Sequence, residues 1–303
     1  SNSQTTVFVE DPTYFLLLKM FKDMNLHIVP IPIIQDGIDI DYLDKMININ
    51  PKNCILYSIP IFHNPTGYTM SHEKRCLLAS LANKYPNLIV FADEVYHMLN
   101  FTDNHNILPL CYYHENFISI GAFSKLFCPS LRLGWIHCNR KWIDILINGG
   151  QLDSGGCVNP IGCAIVHNLL KKNNILNIQQ KWITFLKANC DALYTCLTTE
   201  LNDYIEEMIK PTGGFFIWVK FKKFISVALL EKNMEKYKIK FHNGKKFSLV
   251  NIQDNYVRLS FSWYEKENYC IAISRLKQLI VDSLKISVYI QGNTGRLGLS
   301  IID

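Results

Sequence analysis

Short apolar runs alternate along the first half of the chain with segments in which apolar residues recur every three or four positions. A short apolar run bounded by turn residues predicts a buried strand, and the longer period predicts an amphipathic helix. The predicted strands are Thr6–Val9, His27–Ile33, Cys54–Ile59, Asn87–Ala92, Phe117–Gly121 and Leu131–His137. The predicted helices are Tyr14–Met24, Asp39–Ile47 and Ser71–Lys84, the last with Ser71 as its N-cap. This alternation predicts an α/β fold, with a mainly parallel sheet and helices on both of its faces.

The pattern changes after about Ile147, where a glycine-containing stretch leads into helical segments that reach about Leu201. The segments that follow are a strand at Gly214–Phe221, a helix near Ile225–Tyr237, a strand at Tyr256–Phe261 and a helix at Glu265–Leu284. We therefore expect a large domain at residues 1–150, a helical inter-domain segment at 151–180 and a smaller α+β domain at 181–284.

The last residues carry a separate pattern. Ile286–Ile290 predicts a further strand, and a G-x-x-G-x-x-G segment from Gly292 to Gly298 follows it. Such a turn opens dinucleotide-binding units, and this one is similar to the opening of dihydrodipicolinate reductases. One interpretation of residues 285–303 is the truncated start of a dinucleotide-binding domain. The other is a glycine-rich tail.

Composition narrows the class of protein. The chain has 303 residues, 49% of them hydrophobic, and a net charge of +5 without a long basic run. This balance does not indicate a nucleic-acid partner, and no apolar run approaches the ~20 residues of a membrane span. The ten cysteines occur singly, without C-x-x-C or zinc-ligand spacing. We therefore expect reduced thiols, no metal site and a cytoplasmic protein, rather than a secreted protein with disulfides.

Polar motifs follow several predicted strands, at the sheet edge where α/β proteins bind ligands. Asn64 opens an Asn-Pro-Thr-Gly segment, which by itself predicts only a turn. Asp93 ends a buried strand and precedes Tyr96, and it could equally cap a following helix. A buried carboxylate is costly unless it is paired, so Asp93 is a candidate for a ligand contact.

A lysine and two arginines complete this set. Ser124 and Lys125 follow the strand Phe117–Gly121, and Arg132 lies seven residues after the lysine. Most lysines are solvated surface charges, but burial lowers a lysine pKa and makes the amine a usable nucleophile. Arg258 lies in an otherwise apolar strand. It could form a structural ion pair or act as a fork that binds a carboxylate.

Taken in order, these motifs resemble those of the class I/II aminotransferases, enzymes of the aspartate aminotransferase fold type that use pyridoxal 5′-phosphate (PLP). Flanking segments support the resemblance, notably Asp11-Pro12-Thr13-Tyr14 and Gly213-Gly214-Phe215-Phe216. It spans about residues 6–283. It implies the PLP fold type I large domain and a transaminase that moves an amino group between an amino acid and a 2-oxo acid. It also implies a homodimer.

The resemblance also implies residue roles. Lys125 would bind PLP covalently and move the proton of the substrate, and Asp93 would keep the pyridine nitrogen protonated. Asn64 and Tyr96 would donate to the phenolate oxygen, and Tyr14 would stack on the cofactor ring. The phosphate would be held by Arg132 and Ser124, whereas the serine that family members carry three residues before the lysine is Ala122 here. Arg258 would bind the substrate α-carboxylate.

A further departure lies at the start of the sequence. Family members have roughly a hundred residues before the segment matching Asp11–Tyr14, including a helix N-terminus that binds the phosphate. We therefore expect an N-terminally truncated chain with weakened PLP binding. Two alternatives to a transaminase stay open. One is a PLP-dependent lyase or synthase of the same fold, and the other is a catalytically silent fragment of an aminotransferase–reductase fusion.

Overall fold

The computed structural model describes residues 5–102, 107–156, 159–172, 174–250 and 253–294. Its larger sheet has seven strands: β1 (Thr6–Asp11), β2 (His27–Ile34), β3 (Gly37–Ile38), β4 (Cys54–Ser58), β5 (Leu88–Asp93), β6 (Phe117–Ala122) and β7 (Gly134–His137). Their order is β3-β2-β1-β4-β5-β6-β7. The five inner strands run parallel, and β3 and β7 pair antiparallel at the two edges. The predicted mainly parallel sheet is confirmed.

Ten α-helices lie in the described part of the chain. They are α1 (Phe15–Asp23), α2 (Ile40–Ile49), α3 (His72–Lys84), α4 (Phe123–Leu126), α5 (Arg140–Ile147), α6 (Gly150–Asp153), α7 (Pro160–Lys171), α8 (Asn174–Leu201), α9 (Val227–Asn233) and α10 (Glu267–Thr294). Ser71 caps α3 as predicted, because its side chain accepts a hydrogen bond from the Lys74 amide at 3.1 Å. Across the described ranges, no helix has the apolar length that crossing a membrane requires.

A smaller antiparallel sheet follows in the second half. Its strands are β8 (Ile205–Met208), β9 (Phe216–Phe221), β10 (His242–Asn243) and β11 (Tyr256–Ser260), in the order β10-β11-β9-β8. The predicted smaller α+β unit is thus present, with β8 as an additional strand. The strand predicted from Gly214 begins at Phe216, because Gly214 adopts a left-handed φ of 73° before it.

The apolar core explains why the strands alternate as they do. Phe8 of β1 points to one face of the large sheet, where it packs with Leu43 of α2 and Leu78 of α3. Its neighbours Val7 and Val9 point to the other face, into a cluster shared with α8, α10 and the small sheet. Helices therefore cover both faces, as the alternating pattern predicts. The second cluster joins the two sheets through one continuous core.

The strand predicted at Leu131–His137 is shorter than expected. It begins only at Gly134, because Pro129–Leu131 form a 3₁₀ turn. Arg132 follows this turn with a left-handed φ of 47°. A left-handed residue cannot continue an extended strand, so the backbone reverses here before β7.

The strand predicted at Ile286–Ile290 is wrong. The backbone of α10 stays helical from Glu267 to Thr294, which includes this segment and the first glycine of the predicted turn. A helix already formed extends by one hydrogen bond for each added residue, and no proline interrupts this stretch. Residues 295–303 lie outside the described ranges, so the dinucleotide-binding start stays a prediction.

The prediction of reduced thiols is wrong for one pair of cysteines. Cys196 of α8 and Cys270 of α10 form a disulfide, with their Cα atoms 5.4 Å apart. The two helices pack side by side and bring together residues 74 positions apart, which cysteine spacing alone does not reveal. Seven other cysteines in the described ranges are free thiols: Cys54, Cys76, Cys111, Cys128, Cys138, Cys163 and Cys190.

Candidate active site

The candidate site lies at the carboxyl edge of the large sheet. Asp93 is the last residue of β5, and Lys125 lies in α4, directly after β6. Tyr14 follows β1 and Asn64 follows β4. Because parallel strands end at the same edge, their order brings these four residues from distant parts of the sequence to one place.

Asp93 is held by the neighbouring strand. The Tyr57 hydroxyl donates a 2.6 Å hydrogen bond to Oδ2, whereas from the described residues Oδ1 receives only a long 3.4 Å contact, made by the Val95 amide. Burial raises the pKa of Asp93, and the hydrogen bond from Tyr57 and the charge on Lys125 oppose this rise. The alternative role as a helix N-cap is not observed, because turns rather than a helix follow Asp93. Its Oδ1 therefore faces the site with free acceptor capacity.

Lys125 provides the amine of the site. Its Nζ lies 5.8 Å from the ring centroids of both Tyr96 and Phe215. Burial lowers the pKa of Lys125, Arg258 and Arg132 lower it further, and the charge on Asp93 acts against them. A lowered pKa leaves more of the neutral, nucleophilic amine at neutral pH than an exposed lysine has.

Lys125 is also fixed through its backbone. The Trp182 indole N–H of α8 donates to the Lys125 carbonyl at 3.0 Å. This contact ties the short helix α4 to the long helix α8. The lysine therefore projects from an anchored element rather than from an open loop.

Arg258 enters the site from the small sheet. Its NH1 donates to Asn64 Oδ1 at 2.7 Å, and its Cζ lies 4.0 Å from the Phe216 ring centroid and 4.9 Å from that of Phe247. Its Nε is buried and has no hydrogen-bond partner among the described residues. Burial lowers the pKa of Arg258 to about 10, and the neighbouring tyrosines Tyr96 and Tyr14 oppose this.

The alternative role of Arg258 in a structural ion pair is not observed. Within the described ranges, no carboxylate lies within salt-bridge distance of its guanidinium. A buried cation with an unused N–H is costly unless a ligand completes it. The geometry leaves one edge of the guanidinium for an anion.

Two tyrosines lie among these charges. Burial raises the pKa of Tyr96, the charge on Asp93 adds to the rise, and Arg258 and a hydrogen bond with Asn64 oppose it. Burial also raises the pKa of Tyr14, with Arg258 and Asp93 again acting on it. Both phenols therefore stay protonated at neutral pH and can donate hydrogen bonds.

Ser124 and Arg132 flank Lys125 in the sequence, one residue before it and seven residues after it. Ser124 is half-buried in α4, and Arg132 is exposed, with a long 3.4 Å contact from NH1 to the Pro129 carbonyl. Arg132 is close enough to lower the pKa of Lys125. Among the described residues, no strong contact holds this cation in place.

Sequence reasoning missed two residues of the site. Tyr57 lies within the apolar run Cys54–Ile59, and its position near the carboxyl end of β4 is the signal for a ligand-edge side chain. Phe215 was noted only as part of a flanking segment, and its ring faces the Lys125 amine. Both contacts cross between elements, so no local pattern contains them.

The charged and polar groups of the candidate site fit a PLP molecule. A buried carboxylate with a free oxygen matches a protonated pyridine nitrogen, and an amine of lowered pKa matches the aldehyde. Phenol and amide groups match the phenolate oxygen, and Arg132 with Ser124 matches the phosphate. The unpaired edge of Arg258 matches a substrate carboxylate. The fold and this set of groups define a PLP-dependent enzyme of fold type I.

Comparison with known proteins gives the family. The family model for aminotransferase class I and II matches residues 1–276. The chain is 28% identical over 291 residues to aromatic-amino-acid aminotransferase 1 of Thermococcus litoralis, covering 94% of this chain and 69% of that protein. It is 26% identical over 269 residues to the HTH-type transcriptional regulator NorG of Staphylococcus aureus, covering 88% of this chain and 58% of that protein.

A solved structure supports the same family. Kynurenine aminotransferase of Pyrococcus horikoshii, solved in complex with PMP, superposes with a TM-score of 0.85 at 26% identity, over 93% of this chain and 70% of that one. The chain belongs to the class I and II aminotransferases. It is a PLP-dependent transferase, and these relatives favour amino transfer over the lyase, the synthase and the silent fragment.

Proposed function

We propose that Lys125 carries the PLP of this aminotransferase and that Arg258 binds the α-carboxylate of the amino acid and of the 2-oxo acid. The observation that carries this proposal is the half-buried guanidinium of Arg258, whose buried Nε has no partner in the described ranges. It lies close enough to Lys125 to lower the pKa of that amine. A carboxylate on Arg258 would therefore place its α-carbon near the lysine.

When bound, PLP acts as an electron sink for the substrate α-carbon. The negative charge of Asp93, held by the Tyr57 hydroxyl, would stabilise the proton on the pyridine nitrogen. Lys125 Nζ would take up and return the proton at the substrate α-carbon. Positioned proton transfer of this kind contributes about 10²–10⁴ in rate.

The remaining groups would hold and orient the cofactor. Tyr96 and Asn64 would donate to the phenolate oxygen, and Tyr14 would cover the cofactor ring. Arg132 and Ser124 would bind the phosphate, whereas Ala122 offers no hydroxyl. Because Arg132 is exposed and weakly held, we expect it to change conformation when it binds the phosphate.

The substrate class follows from the surroundings of Arg258. Two phenylalanine rings, Phe216 and Phe247, stack on its guanidinium, and Phe15 packs on Phe247 with ring centroids 5.3 Å apart. Aromatic walls favour apolar and aromatic side chains. The aromatic substrates in the names of the Thermococcus and Pyrococcus relatives agree with this. We infer an aromatic amino acid as one amino donor.

We also propose a homodimer and a cytoplasmic location. The region after Lys125 exposes several large apolar side chains: Trp135, Ile136, Ile145, Ile147 and Ile161. An exposed apolar patch on a protein is typical of a protein–protein interface. Seven free thiols against a single disulfide in the described ranges support a reducing compartment. Neither proposal involves a nucleic acid or a membrane.

The test of the cofactor site is a borohydride trap. The protein is incubated with PLP, its absorbance spectrum is recorded, and borohydride is added before peptide mass spectrometry. We expect a PLP mass on Lys125 and loss of that label in Lys125→Ala. The exposed Lys84 serves as a matched control, because Lys84→Ala should keep the label on Lys125. A label spread over surface lysines would refute the assignment.

A further inference from the structure

Two buried titratable side chains, Glu10 and His63, contact each other next to the turn that carries Asn64. Glu10 of β1 and His63 are each 1% exposed, and His63 Nε2 lies 3.2 Å from Glu10 Oε2. Glu10 Oε1 accepts a 2.6 Å hydrogen bond from the Ser58 hydroxyl, and Oε2 accepts a 2.8 Å bond from the Ile59 amide. Such a pair seldom adds stability over apolar residues of the same volume. Its presence beside a candidate site therefore calls for a functional explanation.

The other side of the imidazole closes a tight turn. His63 Nδ1 lies 2.9 Å from the Thr66 hydroxyl and 3.4 Å from the Thr66 amide, and Nε2 lies on the Glu10 side of the ring. The backbone of His63 is fixed as well, because its N–H donates to Tyr68 and its carbonyl accepts from Gly67. The backbone of His63 and the Nδ1 side of its ring are thus held by the turn, and Nε2 faces the Glu10 carboxylate at 3.2 Å.

Asn64 is the next residue, and it connects this turn to Arg258. It is buried, and its Oδ1 accepts the 2.7 Å hydrogen bond from Arg258 NH1. Asn64 therefore sets the direction in which the free edge of the Arg258 guanidinium points. A rotation of the 63–66 turn would displace the oxygen that holds Arg258 NH1.

We propose that Glu10 and His63 are positioning residues for the carboxylate-binding Arg258 and act on it through Asn64. This inference rests on the proposed role of Arg258. Neither residue touches the substrate, so the expected effect is on binding of the carboxylate and not on formation of the PLP–Lys125 bond. The two effects can be measured separately.

The test compares Glu10→Gln with wild type by three measurements. They are the KM of the amino acid, the inhibition constant of 3-phenylpropionate, a carboxylate without an amine, and the borohydride label on Lys125. Glutamine keeps the volume and one acceptor oxygen but removes the charge that faces His63. We expect KM and the inhibition constant to rise together by about tenfold, with a smaller change in kcat and an intact label.

Glu94→Gln is the matched control. Glu94 is also a buried carboxylate, 5% exposed, and it accepts the Leu110 amide at 2.9 Å rather than a group of the Asn64 loop. It should leave the inhibition constant unchanged. If Glu10→Gln does not fold, Thr66→Val removes the hydroxyl that contacts His63 and accepts from the Tyr68 amide, and it should raise the same constant by a smaller factor.

A double-mutant cycle separates positioning from general destabilisation. In an Asn64→Ala background, Glu10→Gln should change the inhibition constant no further, because its route to Arg258 is already removed. Additive effects, or an unchanged constant in both Glu10→Gln and Thr66→Val, would overturn the inference. If the wild-type protein is not labelled at Lys125, the proposed function is wrong. If the wild-type protein is labelled but the variants leave the inhibition constant unchanged, only the positioning role is wrong.

Discussion

Replacing Arg258 by leucine tests the centre of the proposed site. The substitution removes a guanidinium whose NH1 donates to Asn64 Oδ1 at 2.7 Å and whose Nε has no partner among the described residues, so it removes the N–H edge offered to a carboxylate. A charged hydrogen bond contributes roughly 1.5–3 kcal/mol, and about 1.4 kcal/mol corresponds to a factor of ten. We therefore expect KM to rise by about tenfold to over a hundredfold for every amino acid tested.

The stability of this variant should change little. Burial lowers the pKa of Arg258 to about 10, which means that the fold disfavours the charged form relative to the unfolded chain at neutral pH. Leucine removes that cost but leaves Asn64 Oδ1 without its donor and gives up the stacking on Phe216. These terms oppose each other, so we expect Tm to shift by less than about 5 °C.

The assay is steady-state kinetics with several amino acids, together with a melting curve and the inhibition constant of 3-phenylpropionate. Arg258→Lys is the second variant, because it keeps the charge but loses the paired N–H groups of the fork. We expect its KM to lie between those of wild type and Arg258→Leu. Unchanged KM values with a large fall in Tm would show that Arg258 serves the fold and not the substrate.

Three further substitutions and a pH series extend the test. Lys125→Ala should lose the borohydride label and turnover, while a shift in the PLP spectrum shows residual non-covalent binding; near wild-type turnover would refute its role. Asp93→Asn should keep the label but lower kcat, because an amide cannot stabilise a protonated pyridine nitrogen, and a wild-type rate would reduce Asp93 to a structural residue. Arg132→Ala should raise the Kd of PLP about tenfold, as measured by titration, since one charged contact to the phosphate is lost. Because burial lowers the pKa of Lys125, the rate of PLP attachment should rise with pH through a midpoint below 10.5, and a midpoint at or above that value would contradict the burial argument.

The local sequence determined the elements and the edge of the sheet at which the chemistry lies. Apolar runs such as Cys54–Ile59 mark strands because a strand buried on both faces is apolar at most of its positions. Ser71 marks a helix start because its hydroxyl accepts an otherwise unpaired backbone N–H. Asp93 and Lys125 are recognisable because each follows a buried strand, where a charged side chain needs a partner.

The tertiary structure alone decided which of these groups meet. Arg258 reaches Asn64 across 194 residues, and Tyr57 binds Asp93 only because β4 and β5 are neighbours in the sheet. The Cys196–Cys270 disulfide depends in the same way on the packing of α8 against α10. Periodicity along a chain records which face of an element is buried, but it does not record what that face touches. The contacts that align Arg258 and Asp93 arise between elements, and only the packed fold sets their distances.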